Sequence, residues 1–376
     1  MSPNTFLVVG TGPAGSTIAR LLAEQNFNVE LFDERNHVAG NCFDKTTNHG
    51  HLIHYYGPHY FRTNSDELLA WLSRFTDWIP GEYFVQAKIN QMEVPLPMGL
   101  ATMEKLKNKK FSKQDFESYL QSQKIEIQNI TNAEEQCLST VGKELYDLFF
   151  KNYTIKQWGL HPRNLESFVT ARIPLRFDHD VRYPSEKHQV LPKFGYTEMF
   201  KAILDHRNIQ LSLNQHITSE WIKQHRTKYQ AIIYTGPIDT FFQYCFGKLQ
   251  YRSLRFEWVH KPDVQYFQSS VQCNYPNDQE YTRIVESKHI TKVQGVGTTL
   301  CYEYPSSQGE PYYPMPLKLQ QEKYQRYLEL AKQEEKKDHP MYFLGRLAEY
   351  KYYNMDHIFL RAMNVAQEII HTFKKI

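Results

Sequence analysis

Phe6-Leu7-Val8-Val9-Gly10-Thr11-Gly12-Pro13-Ala14-Gly15 is the segment from which the architecture follows. Four consecutive apolar residues predict a strand buried on both faces, as in a parallel sheet. The strand runs into a Gly-x-Gly-x-x-Gly turn. Ile18, Leu21 and Leu22 then recur at helical spacing. A second strand is expected over Phe27 to Phe32, ending on Asp33 and Glu34. Each glycine has a physical task in a dinucleotide site. Gly10 permits the tight turn, Gly12 lets the backbone approach a pyrophosphate, and Gly15 lets helix and strand pack closely. The helix start, with Pro13 and Ala14, offers free N–H groups and the positive end of its dipole to phosphates. Asp33 stands where a carboxylate can accept both ribose hydroxyls. The competing reading is a plain glycine turn, and the ordered strand, helix, strand and acid argue against it.

Outward from this unit, the 376 residues allow two or three domains at roughly 100–200 residues each. An apolar content of 41% marks a folded protein. Lys and Arg number 44 against 41 Asp and Glu, so the net charge of +3 does not call for a nucleic-acid partner. No apolar run approaches the roughly 18 residues of a membrane span. Five scattered cysteines without Cys-x-x-Cys spacing suit reduced thiols and a cytoplasmic location, and no metal site is expected.

From Asp66 to about Trp158 the pattern is helical with interruptions, and the charge run Glu104–Lys110 is a solvated helix face. Residues 159–193 are punctuated by Pro162, Pro174, Pro184 and Pro192 and predict connecting or mobile loops. A helix is expected at Tyr196–Asp205 and a strand at Ile209–Leu213. Ala231–Tyr234 predicts a further strand, ending in Thr235-Gly236-Pro237. Residues 250–304 alternate β-branched and aromatic side chains, as antiparallel strands do. A charged helix Lys318–Lys337, a short strand Met341–Leu344 and a last helix from about Asn354 to Phe373 complete the chain. A strand ending in Thr235-Gly236 and the turn Leu344-Gly345-Arg346 both suit closure over FAD rather than NAD. They imply an FAD domain built from three chain segments.

Several longer stretches carry a resemblance to a family. They are Arg35-Asn36-His37 with Gly40-Asn41, Tyr56-Gly57-Pro58-His59, Tyr153-Thr154-Ile155-Lys156-Gln157-Trp158-Gly159, Arg172-Ile173-Pro174-Leu175-Arg176-Phe177, Tyr251-Arg252-Ser253-Leu254, Tyr281-Thr282-Arg283-Ile284-Val285-Glu286, Glu310-Pro311-Tyr312-Tyr313-Pro314 and Gly345 to Tyr353. In this order, nearly end to end, the chain resembles the UDP-galactopyranose mutase family. The resemblance implies an α/β fold: a discontinuous Rossmann-like FAD-binding domain with a helical insertion domain and an antiparallel β-sheet domain. The implied division places the FAD domain at 1–80, 199–245 and 317–376. It places a helical substrate domain at 81–170, a mobile loop with the first sheet segment at 171–198, and the antiparallel sheet at 246–316.

The resemblance also implies the chemistry. Such enzymes interconvert UDP-galactopyranose and UDP-galactofuranose, which feeds cell-surface polysaccharide synthesis. FAD is active when reduced: its N5 attacks the anomeric carbon, UDP departs, the sugar reopens and recloses, and UDP returns without net electron transfer. Arg172 and Arg283 match the two diphosphate arginines, and forked guanidinium groups suit that charge. Tyr313 and Tyr352 match hydroxyls at the diphosphate, Tyr153 the ring on uracil, and Thr154, Trp158, Tyr183 and Arg252 further substrate contacts. His59 matches a residue beside the flavin, counted with the two arginines as catalytic. Glu34, Arg35, Gly40, Asn41, Thr235, Gly236, Arg346, Tyr353, Asn354 and Met355 join the glycine loop and Asp33 as cofactor contacts. The implied partners are a UDP-sugar and a cellular reductant, and the resemblance admits a homodimer.

Departures leave the sugar open. Arg62 stands where many members carry a second histidine, adding a fixed positive charge, and Asn354 replaces an aspartate. Ala39 replaces the first glycine of Gly-Gly-Asn. Residues 94–98 and 188–193 differ from the usual sequences. Another UDP-hexopyranose, such as the N-acetylated one, a flavin oxidoreductase on the same scaffold, and an inactive nucleotide-sugar binder are the alternatives.

Overall fold

Strand β1 (Thr5–Val9) is buried on both faces, with Phe6, Leu7 and Val8 fully enclosed. It pairs in parallel with β2 (Asn28–Phe32) on one side and with the strand Ile232–Tyr234 on the other. Ile209–Ser212 and Met341–Phe343 complete a five-stranded parallel sheet. Numbered by first appearance, its order is 3-2-1-4-5, the doubly wound arrangement of dinucleotide-binding sheets. The computed structural model describes residues 4–171, 174–293 and 295–374.

Helix α1 (Pro13–Glu24) buries Ala14, Ile18 and Leu22 on one face. That stripe packs against the C-terminal helix Met355–Lys374, which buries Phe359, Ala362 and Ala366. The helices and strands expected at Tyr196–Asp205, Ile209–Leu213, Ala231–Tyr234, Lys318–Lys337, Met341–Leu344 and Asn354–Phe373 hold to within a few residues; short helices at Ser219–His225 and Ile238–Phe241 were not expected, and Lys288–Thr291 interrupts the stretch read as strands.

The stretch read as helical from residue 66 differs. Helices occupy Asp66–Leu72, Leu100–Lys107, Lys113–Gln123, Ala133–Leu145 and Lys151–Trp158. Between the first two lie strands Trp78–Pro80, Val85–Ile89, Met92–Leu96 and Met98–Gly99. The expectation of a helical unit starting at 81 is therefore corrected for residues 85–96. Val85, Ala87 and Ile89 are buried in alternation, a period of two that no helix uses. Val85–Ile89 adds in parallel to Gln272–Asn274 and so extends the second sheet. That seven-stranded sheet runs Tyr313–Pro314, Tyr251–Lys261, Thr298–Ser306, Arg283–Val285, Gln272–Asn274, Val85–Ile89, Met92–Leu96. The charge run is in solvent at Lys105, Lys109 and Lys110, but the helix ends at Lys107 on a left-handed Asn108, so the run is a helix face only over its first half.

All five cysteines are free thiols. Among the described residues no helix is long and apolar enough to cross a membrane.

Candidate functional site

The parallel sheet reverses strand order between β1 and Ile232–Tyr234, and the crevice beyond their carboxyl ends is where such sheets bind ligands. Gly10 and Thr235 meet there. Gly10 has φ +104°, and a Cβ on it would fall 2.0 Å from Thr235 Oγ1. Thr235 in turn donates to the Val9 carbonyl at 2.8 Å. A Cβ on Gly15 would fall 1.9 Å from the Gly10 carbonyl oxygen, so Gly15 serves packing below the cavity. Gly12 is different: nothing lies nearer than 3.9 Å to its missing Cβ, and it opens onto a cavity of about 390 Å³. No side chain caps α1, which leaves its first N–H groups to face that space.

Pro13, Ala14, Gly40, Asn41, Thr235 and Gly236 line this cavity, as do Arg346, Tyr353 and Met355 farther in. Arg35 reaches it with its guanidinium bonded to Asn41 Oδ1 at 2.9 Å and Glu310 Oε2 at 2.5 Å. Glu34 pairs with His216 Nδ1 at 2.8 Å on the cavity rim. Asp33 requires a correction. Its Oδ2 accepts the Thr11 N–H at 2.7 Å and hydroxyl at 2.6 Å, and its Oδ1 accepts the Arg35 N–H at 2.9 Å. Three of about four acceptor positions on the carboxylate are thus filled by protein, which leaves one open unless the Thr11 hydroxyl turns away. The short side chain ties the end of β2 to Thr11 in the turn beyond β1.

The second cavity, about 630 Å³, lies between the seven-stranded sheet and the helix Lys151–Trp158. Tyr153, Thr154, Trp158, Tyr183, Arg283, Tyr313 and Tyr352 line it. Arg283 is the charged centre. Its Nε donates to Glu303 Oε2 at 2.6 Å, and Glu303 is fully buried. Burial works against the charge on Arg283, but Glu303 and the surrounding tyrosines outweigh it and hold the guanidinium charged. Burial pushes the Glu303 carboxyl upward while Arg283 pulls it back. Burial wins for Glu303, whose carboxyl stays above its ordinary range, and the contact has the short length of a charge-assisted hydrogen bond. Tyr313 and Tyr352 stack with ring centres 5.8 Å apart, and Arg346 lies over the Tyr352 ring at 5.2 Å. Trp158 meets Tyr313 edge-on.

A smaller cavity of about 130 Å³ lies between the two and shares walls with each. It shares His59, Asn41, Arg346, Tyr353 and Met355 with the first, and Arg283, Tyr313, Tyr352 and Asn354 with the second. The start of the last helix opens onto it at Met355, placing a positive dipole end there. His59 Nδ1 contacts the Gly57 carbonyl at 2.8 Å, so Nδ1 carries the proton and Nε2 is the acceptor. Burial pulls its ring down to about 3, with His54 adding to the effect. His59 is neutral at neutral pH and is no imidazolium acid.

Two further expectations are resolved by position, and a third is not. Arg252 lines none of these cavities; it was expected at the substrate. Its guanidinium donates to the carbonyls of Gln157 at 2.8 Å and Lys156 at 3.1 Å. It caps the last turn of Lys151–Trp158, where unpaired carbonyls attract a cation. Arg62 does face the second and bridging cavities, but its charge is not free, because Glu186 Oε1 lies 2.7 Å away. Arg172 lies outside the described residues.

The sequence reading missed several lining residues. Phe149 and Phe150 enter from a π-helical turn, Tyr146–Phe150, a distortion that often marks functional sites. Tyr83 donates to Gln272 Oε1 at 2.9 Å, and Gln272 to Asn274 Oδ1 at 2.7 Å, forming a polar floor. Glu303 had a signal: it is a carboxylate on the inward parity of a buried strand.

Comparison with known proteins agrees with this geometry. A model of the UDP-galactopyranose mutase family matches residues 148–352, and one of NAD(P)-binding Rossmann-like domains matches 8–75. The chain is 35% identical to the "Probable UDP-galactopyranose mutase" of Klebsiella pneumoniae, over 98% of this chain and 96% of that protein. It is 33% identical to the dTDP-fucopyranose mutase of Escherichia coli, over 99% and 100%. A crystal structure of reduced UDP-galactopyranose mutase superposes with a TM-score of 0.76 at 16% identity, covering 100% of this chain and 95% of the other. A putrescine oxidase variant shares the fold at a TM-score of 0.60 and 10% identity, covering 98% and 99%. The chain belongs to the UDP-galactopyranose mutase family of isomerases, on a Rossmann-type fold that implies a flavin cofactor.

Proposed function

We propose that this chain interconverts the pyranose and furanose forms of a UDP-hexose, UDP-galactose first, with FAD in its reduced state. The observation that carries this reading is the bridging cavity, which lies between a dinucleotide cradle and a cleft centred on Arg283. An electron-transfer site needs no arginine-and-tyrosine cluster beside the cofactor ring; a site that must release and recapture a diphosphate does.

The residues fit FAD. Gly12 and the uncapped start of α1 suit the pyrophosphate, with Arg35 beside it. Asp33 and Glu34 suit the ribose. Thr235, Gly236, Arg346, Tyr353, Met355 and His59 surround space that leads on to the second cavity. Reduced FAD, when bound, supplies a nitrogen nucleophile for the anomeric carbon and gains or loses no net electrons over the cycle.

The protein's own work is electrostatic and positional. Arg283, held charged against Glu303, offsets the negative charge that concentrates on a departing diphosphate. Such preorganised charge is worth about 3–4 kcal/mol of barrier. Arg172 is its proposed counterpart. The Tyr313 and Tyr352 hydroxyls donate to the same diphosphate. Tyr153, with Phe149, Phe150 and Thr154 nearby, offers the uracil an aromatic wall.

A second reading keeps the reaction and changes the sugar nucleotide. The Arg62–Glu186 ion pair beside Asn354 favours it, as does the similar identity to the dTDP-fucopyranose mutase. Dithionite-reduced enzyme incubated without oxygen with UDP-galactofuranose, its N-acetylated analogue and dTDP-fucofuranose tests both. We expect the first to give pyranose fastest. A clear preference for either of the others selects the second reading, and no isomerisation of any sugar by fully reduced, nucleotide-binding protein defeats both.

A further inference from the structure

Lys156 belongs to the Tyr153–Gly159 motif but points away from the cleft that its neighbours line. Its Nζ donates to three backbone carbonyls: Tyr275, Gln279 at 2.8 Å and Tyr281 at 3.2 Å. An ammonium has three donors and no acceptor, so this set uses all of them. Among the described residues Lys156 makes no ion pair within 4 Å. The loop it grips leads directly into Arg283, two residues beyond Tyr281. A second tie runs alongside. Asn152 donates to Asn277 Oδ1 at 3.0 Å, and Asn277 donates to the Leu148 carbonyl at 3.1 Å. The loop closes on itself through the Tyr275 N–H and the Thr282 carbonyl at 2.8 Å.

We infer that Lys156 is a positioning residue that sets the distance between the helix carrying Tyr153 and Trp158 and the strand carrying Arg283. A UDP moiety spans those two elements, its base against one and its diphosphate against the other, so their spacing must match the length of the nucleotide. Lys156 fixes that spacing from behind, without touching the ligand. Burial pulls its ammonium down to about 8, which marks the cation as costly to hold there. A loop needing only to be anchored would be served by an amide, as Asn277 serves it. A cation held by three carbonyls resists sliding in three directions at once. Arg252 acts on the same turn of the helix, gripping the Lys156 and Gln157 carbonyls.

The inference rests on the UDP-sugar reading, and its test separates the two. In flavin-loaded full-length protein, Lys156→Met, Arg283→Ala and the double variant are titrated with UDP, and Asn277→Ala serves as a milder break of the second tie. Turnover of UDP-galactofuranose is followed in parallel, with melting temperature and flavin content as controls. Lys156→Met is expected to weaken UDP binding about tenfold in the parent background and less than about twofold when Arg283 is absent, since there is then no arginine to misplace. Asn277→Ala should show the same dependence with a smaller effect. Equal losses in both backgrounds, or a lowered melting temperature with unchanged UDP affinity, would overturn the positioning role. A parent enzyme that binds UDP but isomerises no sugar would instead sink the mutase reading, while the affinity cycle still decides the role of Lys156.

Discussion

The cofactor cradle and the substrate cleft are built by different means. The cradle is mostly backbone: glycines at 10, 12 and 15, the open end of α1, and two strand ends tied through Thr235. The cleft is mostly side chain, drawn from at least five separated stretches and organised around one buried ion pair, Arg283–Glu303. Backbone sites fail when a Cβ is added. Side-chain sites fail when one group is removed. The two halves should therefore break independently, and the following variants test that separation.

The largest effect is expected from Gly15→Val. Its Cβ alone would collide with the Gly10 carbonyl at 1.9 Å, and the collision is with backbone that cannot swing aside. The variant should purify without flavin and unfold at a lower temperature, as absorbance at the flavin band and thermal melts will read. Normal flavin content would refute the assigned packing role.

Next comes Arg283→Ala. Turnover should fall by about 10²–10³ while flavin content stays at the parent level, measured by stopped assay and absorbance on one preparation. Loss of flavin together with activity would mean that the halves are not separable. Glu303→Gln is milder, because the amide oxygen still accepts from Arg283 Nε but no longer balances its charge. A fall of about tenfold in kcat/KM is expected, with flavin retained.

The remaining effect is on stability against pH and leaves neutral pH untouched. His54 is buried, accepts the His59 backbone N–H on Nδ1 at 3.0 Å, and is pulled by burial from 6.5 down to about 4. Between those values the unfolded chain binds the proton and the folded chain does not. Stability from this group is therefore complete above about pH 6.5 and declines as pH falls toward 4, by at most about 1.4 kcal/mol per unit. His54→Gln should flatten that part of the melting-temperature profile; an unchanged slope would assign it to other groups.

The same contrast explains what could be read from the sequence. The cradle is contiguous, so Phe6 to Gly15 and Asp33 stand in the order in which they fold, and Thr235-Gly236 announces itself by ending an apolar strand. The cleft is assembled by tertiary packing. Tyr153, Arg283, Tyr313 and Tyr352 meet in space only after two sheets have formed, and residue pattern alone could not have joined them; the resemblance did. Where pattern was available it was sometimes overruled. Val85, Ala87 and Ile89 alternate as a strand should, yet the long helical context on either side masked them. Arg252 shows the opposite error: its motif suggested the ligand, while the unpaired carbonyls of a helix end claimed its donors. Asp33 shows how a short acid at a strand end can be satisfied by its own Thr11 before any ribose arrives.

The central claim is that the flavin beside this cleft takes part without net electron transfer. One cuvette can test it: reduced enzyme under argon, excess UDP-galactofuranose, flavin absorbance and sugar products followed together. The account predicts many sugars isomerised per flavin while the absorbance at the end equals that at the start. One sugar oxidised or reduced per flavin, with matching change in the flavin spectrum, would contradict it.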